Sequence, residues 1–100
     1  MKALLILSVT CILNFSAKGE NCKGEVKDGK KTGIWLCYYD DGKVMQEGLY
    51  SDDMKNGSWR FFHSNGKVAL EGNYVNDVEK GQWKVFDEEG KQVDVIEYGN

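Results

Sequence analysis

From residue 34 onward, short runs of apolar and aromatic residues alternate with polar turns. Residues 34–39 are aromatic and apolar, residues 40–43 supply a turn with a glycine, and residues 44–50 form a second strand-like run. The polar links 51–56 and 75–80 are predicted to be the turns that join consecutive hairpins. The pattern therefore predicts an antiparallel β-meander.

The pattern repeats every 24 residues, and an internal repeat of this kind decides the fold. Five sets of identical residues follow this spacing: Gly33, Gly57 and Gly81; Trp35, Trp59 and Trp83; Gly42, Gly66 and Gly90; Lys43, Lys67 and Lys91; Tyr50, Tyr74 and Tyr98. A further set comprises Gly24, Gly48 and Gly72. The chain is therefore expected to be all-β, a single-layer solenoid of stacked hairpins with a half-unit at 22–32 and repeats at 33–56, 57–80 and 81–100.

The tryptophans have two possible roles in such a sheet. Because Trp35, Trp59 and Trp83 alternate with Leu36, Arg60 and Lys84, strand periodicity favours a buried tryptophan face over a sugar-binding platform. The aromatic residues at 38, 62 and 86 then point to the other face unless a bulge intervenes. They are either a second buried layer or a contact surface for a partner, and this candidate surface comprises Tyr38, Phe62 and Phe86.

The first 19 residues have the pattern of a signal peptide. Lys2 precedes an apolar run at 3–13, and Ala17 and Gly19 place small residues at −3 and −1 of a cleavage site before Glu20. We therefore expect residues 1–19 to be a signal peptide and 20–100 to be an exported domain, located in the periplasm, at the cell surface or secreted from the cell. An uncleaved anchor, a buried first strand and a lipidated cysteine remain alternatives.

Export would leave two of the three cysteines in an oxidising compartment. Cys11 would be removed with the signal peptide, so that Cys22 and Cys37 could form a disulfide; two free buried thiols are the alternative. If Val26 pairs with Gly33 across a turn at 27–32, Cys22 lies opposite Cys37.

Charge excludes some partners. The chain has net charge −3 and a pI near 5.1, and loss of Lys2 and Lys18 with the signal peptide would lower the charge to −5. Both values disfavour nucleic acid and anionic lipid headgroups, so we expect no nucleic-acid partner and no membrane contact after signal cleavage.

No catalytic, cofactor or metal site is indicated. The single histidine, His63, is predicted to be a solvated turn residue, and the pairing of Cys22 with Cys37 leaves no thiol for it to activate. The acidic turns do not match a calcium loop or a glycosidase pair, and the glycines, interpreted as isolated turn residues, do not form a phosphate-binding loop. We therefore expect a protein that is not an enzyme and needs no cofactor.

The unit Gly-x-Trp, followed by paired aromatics, Asp-Gly-Lys or Asn-Gly-Lys, and Glu-Gly-x-Tyr, resembles the bacterial variant of the MORN repeat over about residues 22–98. Proteins with such repeats are often named antitoxin-component (YwqK-type) proteins, which implies partner binding rather than catalysis. The third unit departs from the pattern, because Val95-Ile96 stands where the others have Glu-Gly.

Together these features predict an exported module that binds a protein partner through its extended β-surface. A module associated with cell-envelope glycan or lipid is one alternative. The other is a cytoplasmic antitoxin-like inhibitor, which requires an unprocessed N-terminus.

Overall fold

A computed structural model describes residues 21–99 as one open sheet of seven antiparallel strands. The predicted signal peptide lies outside the described residues. The strands are β1 (Cys22–Lys27), β2 (Lys30–Tyr38), β3 (Val44–Ser51), β4 (Met54–Phe62), β5 (Val68–Val75), β6 (Val78–Phe86) and β7 (Gln92–Glu97). Each strand pairs with its neighbours in chain order, which confirms the predicted all-β meander.

Two-residue turns join β1 to β2, β3 to β4 and β5 to β6. Both central residues of each turn have positive φ, as in type I′ hairpins: Asp28 and Gly29, Asp52 and Asp53, Asn76 and Asp77. The turns that join consecutive hairpins therefore lie within the predicted links at 51–56 and 75–80, but each is two residues long rather than six. Asp and Asn tolerate the left-handed conformation, so two residues complete each turn and the remaining polar residues extend the strands.

The other three turns contain the Gly-Lys pair of each unit. In the first, the Tyr39 N–H donates to the Lys43 carbonyl (2.7 Å) and the Gly42 N–H donates to the Tyr39 carbonyl (2.9 Å). The same two bonds recur in the turns that begin at His63 and Asp87. Gly42 has φ of 92°, which explains why glycine occupies this position.

A bulge widens the pairing between hairpins. Gly48 pairs with Trp59 and Tyr50 with Lys55, so three residues of β4, 56–58, lie opposite the single residue Leu49. Gly57 within this bulge has φ of 115°, a conformation available chiefly to glycine. Gly57 therefore lies inside a strand and is not the isolated turn residue that was predicted.

One face of the sheet, here called the aromatic face, contains the core. Trp59 and Trp83 are each 1% exposed, and Trp35, Tyr74 and Cys37 are also buried. Tryptophan and tyrosine rings alternate across the strands in edge-to-face contacts, with interplanar angles between 78° and 84°. A single sheet can bury these rings because each aromatic side chain is covered by those of the neighbouring strands.

A disulfide joins Cys22 of β1 to Cys37 of β2, whose Cα atoms are 3.9 Å apart. The two cysteines are register partners, but Val26 pairs with Lys31 rather than with Gly33 as predicted. The turn is four residues shorter than predicted, which makes Lys31 rather than Gly33 the partner of Val26. A register shift between Lys23 and Glu25 then brings Cys22 opposite Cys37.

Candidate functional site

Each tryptophan of the aromatic face lies across a glycine of the preceding strand. Ideal Cβ atoms on Gly24, Gly48 and Gly72 would lie 2.2, 2.0 and 2.1 Å from the rings of Trp35, Trp59 and Trp83. The indole N–H also donates to a backbone carbonyl next to that glycine; for Trp59 the acceptor is Leu49 at 2.9 Å. The tryptophan rings are therefore structural, and their burial leaves no stacking platform for a sugar.

Two lysines cover the outer side of the aromatic pairs. The Nζ atom of Lys31 lies 5.1 Å from the Trp35 ring and 5.0 Å from the Tyr50 ring, and Lys55 repeats these distances over Trp59 and Tyr74. Such cation–π contacts stabilise the face. Burial lowers the pKa of Lys55, and the nearby carboxylates Asp77 and Glu79 partly offset this effect.

The next position of this series, 24 residues after Lys55, is an acid, Glu79. Glu79 pairs with Tyr74 in the sheet, as Lys55 pairs with Tyr50. Burial raises the pKa of Tyr74 to about 12, and the charge of Glu79 adds to the shift. The lysine position was not recognised in the sequence, because Glu79 interrupts the series and positions 31 and 55 lay in the predicted turns.

The opposite face, here called the polar face, is crossed by alternating charges. Arg60, the chain's single arginine, lies 3.6 Å from Glu47 and 3.4 Å from Glu71, on the two strands that flank it. All three side chains are substantially exposed, so these pairs contribute little to stability. They give this face a defined pattern of charge that a partner can contact.

A groove on the polar face adjoins this charge row. It has a volume of about 330 Å³ and is lined by Ile34, Glu47, Gly48, Leu49, Ser58 and Arg60. Ile34 and Leu49 are direct cross-strand partners, and they are 67% and 37% exposed. An apolar floor beside an ion pair is a combination that suits protein contacts.

The predicted contact residues Tyr38, Phe62 and Phe86 are half-buried. They are the last residues of β2, β4 and β6, and a register shift separates each of them from the residue before it. The ring contacts among residues 21–99 involve the tryptophans, three tyrosines and Phe61, and none joins Tyr38, Phe62 and Phe86 to one another. They do not form a continuous aromatic ladder.

His63 is not the solvated turn residue that was predicted. It is half-buried, and its Nε2 atom lies 2.9 Å from the Phe86 carbonyl, to which it donates. Tyr39 occupies the same place one unit earlier, and its hydroxyl donates to the Phe62 carbonyl at 2.6 Å. These two side chains connect successive hairpins at the turn edge.

Residues 21–99 contain no group of three or more His, Cys, Asp or Glu side chains that could hold a metal ion. In that part of the chain, no helix has the length and apolar character needed to cross a bilayer.

The fold and these surfaces define a class: a single-sheet β-hairpin repeat protein. A family model for the MORN repeat variant matches residues 31–52 and 55–76, so the chain contains MORN repeats of this variant over those residues. The matched segments begin at the two lysines that cover the aromatic pairs. No curated protein and no solved structure shows significant similarity to the chain.

Proposed function

We propose that this chain is an exported, non-enzymatic module that binds a protein partner through the polar face. The observation that carries the proposal is the groove in which Ile34 and Leu49 lie exposed beside the Glu47–Arg60 ion pair. Arginine is enriched at protein interfaces, and burial of the exposed aliphatic area beside it would favour association. The burial of the tryptophans disfavours the alternative of a glycan-binding module.

A third repeat at 81–100 is part of this proposal. Trp83 crosses Gly72 and contacts Tyr98 in the geometry of the first two units, although the family model does not extend to these residues. We further propose that the chain belongs with the bacterial repeat proteins named as antitoxin components. That name supports partner binding here, whereas export would separate the chain from a cytoplasmic toxin.

Site-specific photocrosslinking in the native cells tests the binding proposal. A photoreactive amino acid at position 34, in the groove, is expected to give a discrete adduct whose added mass is protein. The control carries the same photoreactive amino acid in place of Val78, which lies at a hairpin tip and is 51% exposed. The additional substitution Arg60→Glu should abolish the position-34 adduct without unfolding the chain.

An adduct at Val78 but not at position 34 would contradict the groove as the binding site. A glycan or lipid adduct at position 34 would contradict a protein partner.

The intact mass of the native protein, with and without reductant, tests export. We expect a chain that begins at Glu20 and gains about 2 Da on reduction, since a disulfide persists in an oxidising compartment. A full-length mass in the cytosolic fraction would support the inhibitor alternative. A lipid-sized increment on a cysteine would indicate membrane anchoring.

A further inference from the structure

The sheet has two open edges within residues 21–99, one at β1 and one at β7. Because all neighbouring strands are antiparallel, these first and seventh strands run in the same direction. Each edge exposes backbone hydrogen-bonding groups on its outer side, as any unpaired edge strand does. The side chains along the two edges decide what each can pair with.

The side chains at the two edges are complementary. On the aromatic face, β1 exposes Val26 (58%) and β7 exposes Ile96 (37%). The next residue on each strand lies on the polar face and carries a charge, positive at Lys27 and negative at Glu97. If the two strands lay side by side in parallel, the aliphatic side chains of Val26 and Ile96 would be neighbours. Lys27 would then lie beside Glu97, with opposite charges facing each other.

Ile96 prevents a tryptophan-bearing strand from pairing with the outer edge of β7. It occupies the position that is glycine in β1, β3 and β5, where the tryptophan of the following strand crosses the backbone. A side chain at this position leaves no space for an indole, so a further tryptophan-bearing strand cannot pair in the same geometry. The strand β1 has no tryptophan, and its Gly24 and Val26 are small enough to lie beside Ile96.

We propose that β7 of one copy pairs in parallel with β1 of a second copy, with Ile96 beside Val26 and Glu97 beside Lys27. This contact is heterologous, so it joins copies head to tail and extends the sheet rather than closing a symmetric dimer. It goes beyond the proposed function, because it uses the sheet edges and leaves the groove of the polar face open.

Backbone direction is compatible with this register. The Tyr98 N–H donates to the Gly81 carbonyl, so strand alternation turns the backbone groups of Val95 and Glu97 outward. On β1, the Asn21 carbonyl accepts from the Tyr38 N–H, which by the same alternation turns Gly24 and Val26 outward. Val95 can then donate to the Gly24 carbonyl of the second copy and accept from its Val26 N–H.

Asp94 competes with this pairing. Its Oδ1 atom accepts the Val95 N–H at 2.8 Å, which satisfies a donor on the open edge. The association must displace this bond and is therefore reversible and dependent on concentration. A symmetric β7–β7 contact is less favourable, because Asp94 and Glu97 of both copies would line one seam.

Analytical ultracentrifugation of the purified native chain and two edge variants tests the proposal. Val95→Pro blocks β7 and should be tolerated, since this N–H bonds to Asp94 rather than to β6. The double variant Val26→Asp/Lys27→Glu blocks β1 at exposed positions. We expect the native chain to grow beyond a dimer with concentration, each variant alone to stay monomeric, and an equimolar mixture to form a heterodimer and nothing larger.

Three outcomes would overturn the proposal: a native chain that is monomeric at every concentration, a mixture that stays monomeric, or a β1-blocked variant that still self-associates. The last would indicate β7–β7 pairing. If Val95→Pro fails to fold, Ile96→Lys at the exposed edge replaces it with the same expectations. Circular dichroism and the mass of the intact disulfide verify the fold of every variant.

Discussion

The indole of Trp59 lies directly over Gly48, close enough that a Cβ on Gly48 would be 2.0 Å from the ring. This contact explains why glycine and tryptophan recur with the same spacing but on different strands. It also explains the departure in the third unit. Among the described strands none follows β7, so no indole covers position 96 and isoleucine is accommodated there.

Substitution of Gly48 by Ala should therefore destabilise the fold strongly. The new methyl group must displace a ring that is 1% exposed, and overpacking of this severity costs about 3 kcal/mol or more. Urea unfolding followed by tryptophan fluorescence measures the loss. Gly29→Asp is the control, because nothing lies within 4 Å of that position and Asp53 and Asp77 occupy the equivalent turn position with φ of 71°. Equal losses for the two variants would contradict the crossing as the cause.

Much of the fold was predictable from the spacing of residues such as Trp35 and Gly42. The position of Trp35 indicates which face of its strand is buried, and Gly42 indicates a turn with positive φ. Both features depend on local chemistry alone. The strand boundaries were not predictable in the same way. Residues Met54 and Lys55 belong to a polar stretch that resembles a loop, and only the left-handed conformation of Asp52 and Asp53 returns the chain early enough to make them strand.

The site was less predictable than the fold. Exposed Ile34 appears in the sequence as an ordinary apolar strand residue, and its exposure follows from its place on the polar face of a single-layer sheet. His63 lies in a turn, and its acceptor Phe86 is 23 residues away. Contacts of this kind depend on how successive hairpins pack against each other. The sequence of a single repeat does not show this packing.

Removal of the disulfide should loosen the first strand. In the chain-entropy model a loop of about 15 residues contributes roughly 3 kcal/mol, so Cys22→Ser/Cys37→Ser should unfold at lower urea than the native chain. Hydrogen exchange should increase most in β1 and β2, which the bond joins. Reduction of the native chain should reproduce the effect of the double variant. A variant as stable as the native chain would show that side-chain packing alone holds β1.

The hydrogen bond from His63 to the Phe86 carbonyl should contribute to the stability of the fold. His63→Ala removes a half-buried donor and should cost about 1 kcal/mol. His63→Tyr should cost less, because Tyr39 makes the equivalent bond to Phe62 one unit earlier. Thermal unfolding of the three chains provides the comparison. A tyrosine variant no better than alanine would contradict the equivalence of the two turns.

Placing a lysine at position 79, where the series of Lys31 and Lys55 is interrupted, should stabilise the protein. In Glu79→Lys the new ammonium should lie over Trp83 and Tyr98 as Lys55 lies over Trp59 and Tyr74, a gain of about 0.5–1 kcal/mol. Glu79→Gln removes the acid without adding a cation and is the matched control. Urea unfolding of both variants tests this prediction, and the lysine variant should have the higher midpoint. If the two coincide, the aromatic pair of the third unit does not hold a cation.

Tyr74 should make the fold sensitive to alkaline pH. Its pKa rises from 10.0 to about 12 in the folded protein, mainly through burial and then through Glu79. Between these two values the unfolded chain has lost the phenolic proton and the folded chain retains it, so stability falls as pH rises. The contribution is fully present below pH 10 and is lost by about pH 12, a change on the order of 2–3 kcal/mol. Tyr74→Phe cannot ionise, so urea unfolding between pH 9 and 12, as set by these pKa values, should show a shallower decline for the variant than for the native chain. Parallel declines would mean that the phenol of Tyr74 ionises as readily in the folded sheet as in water.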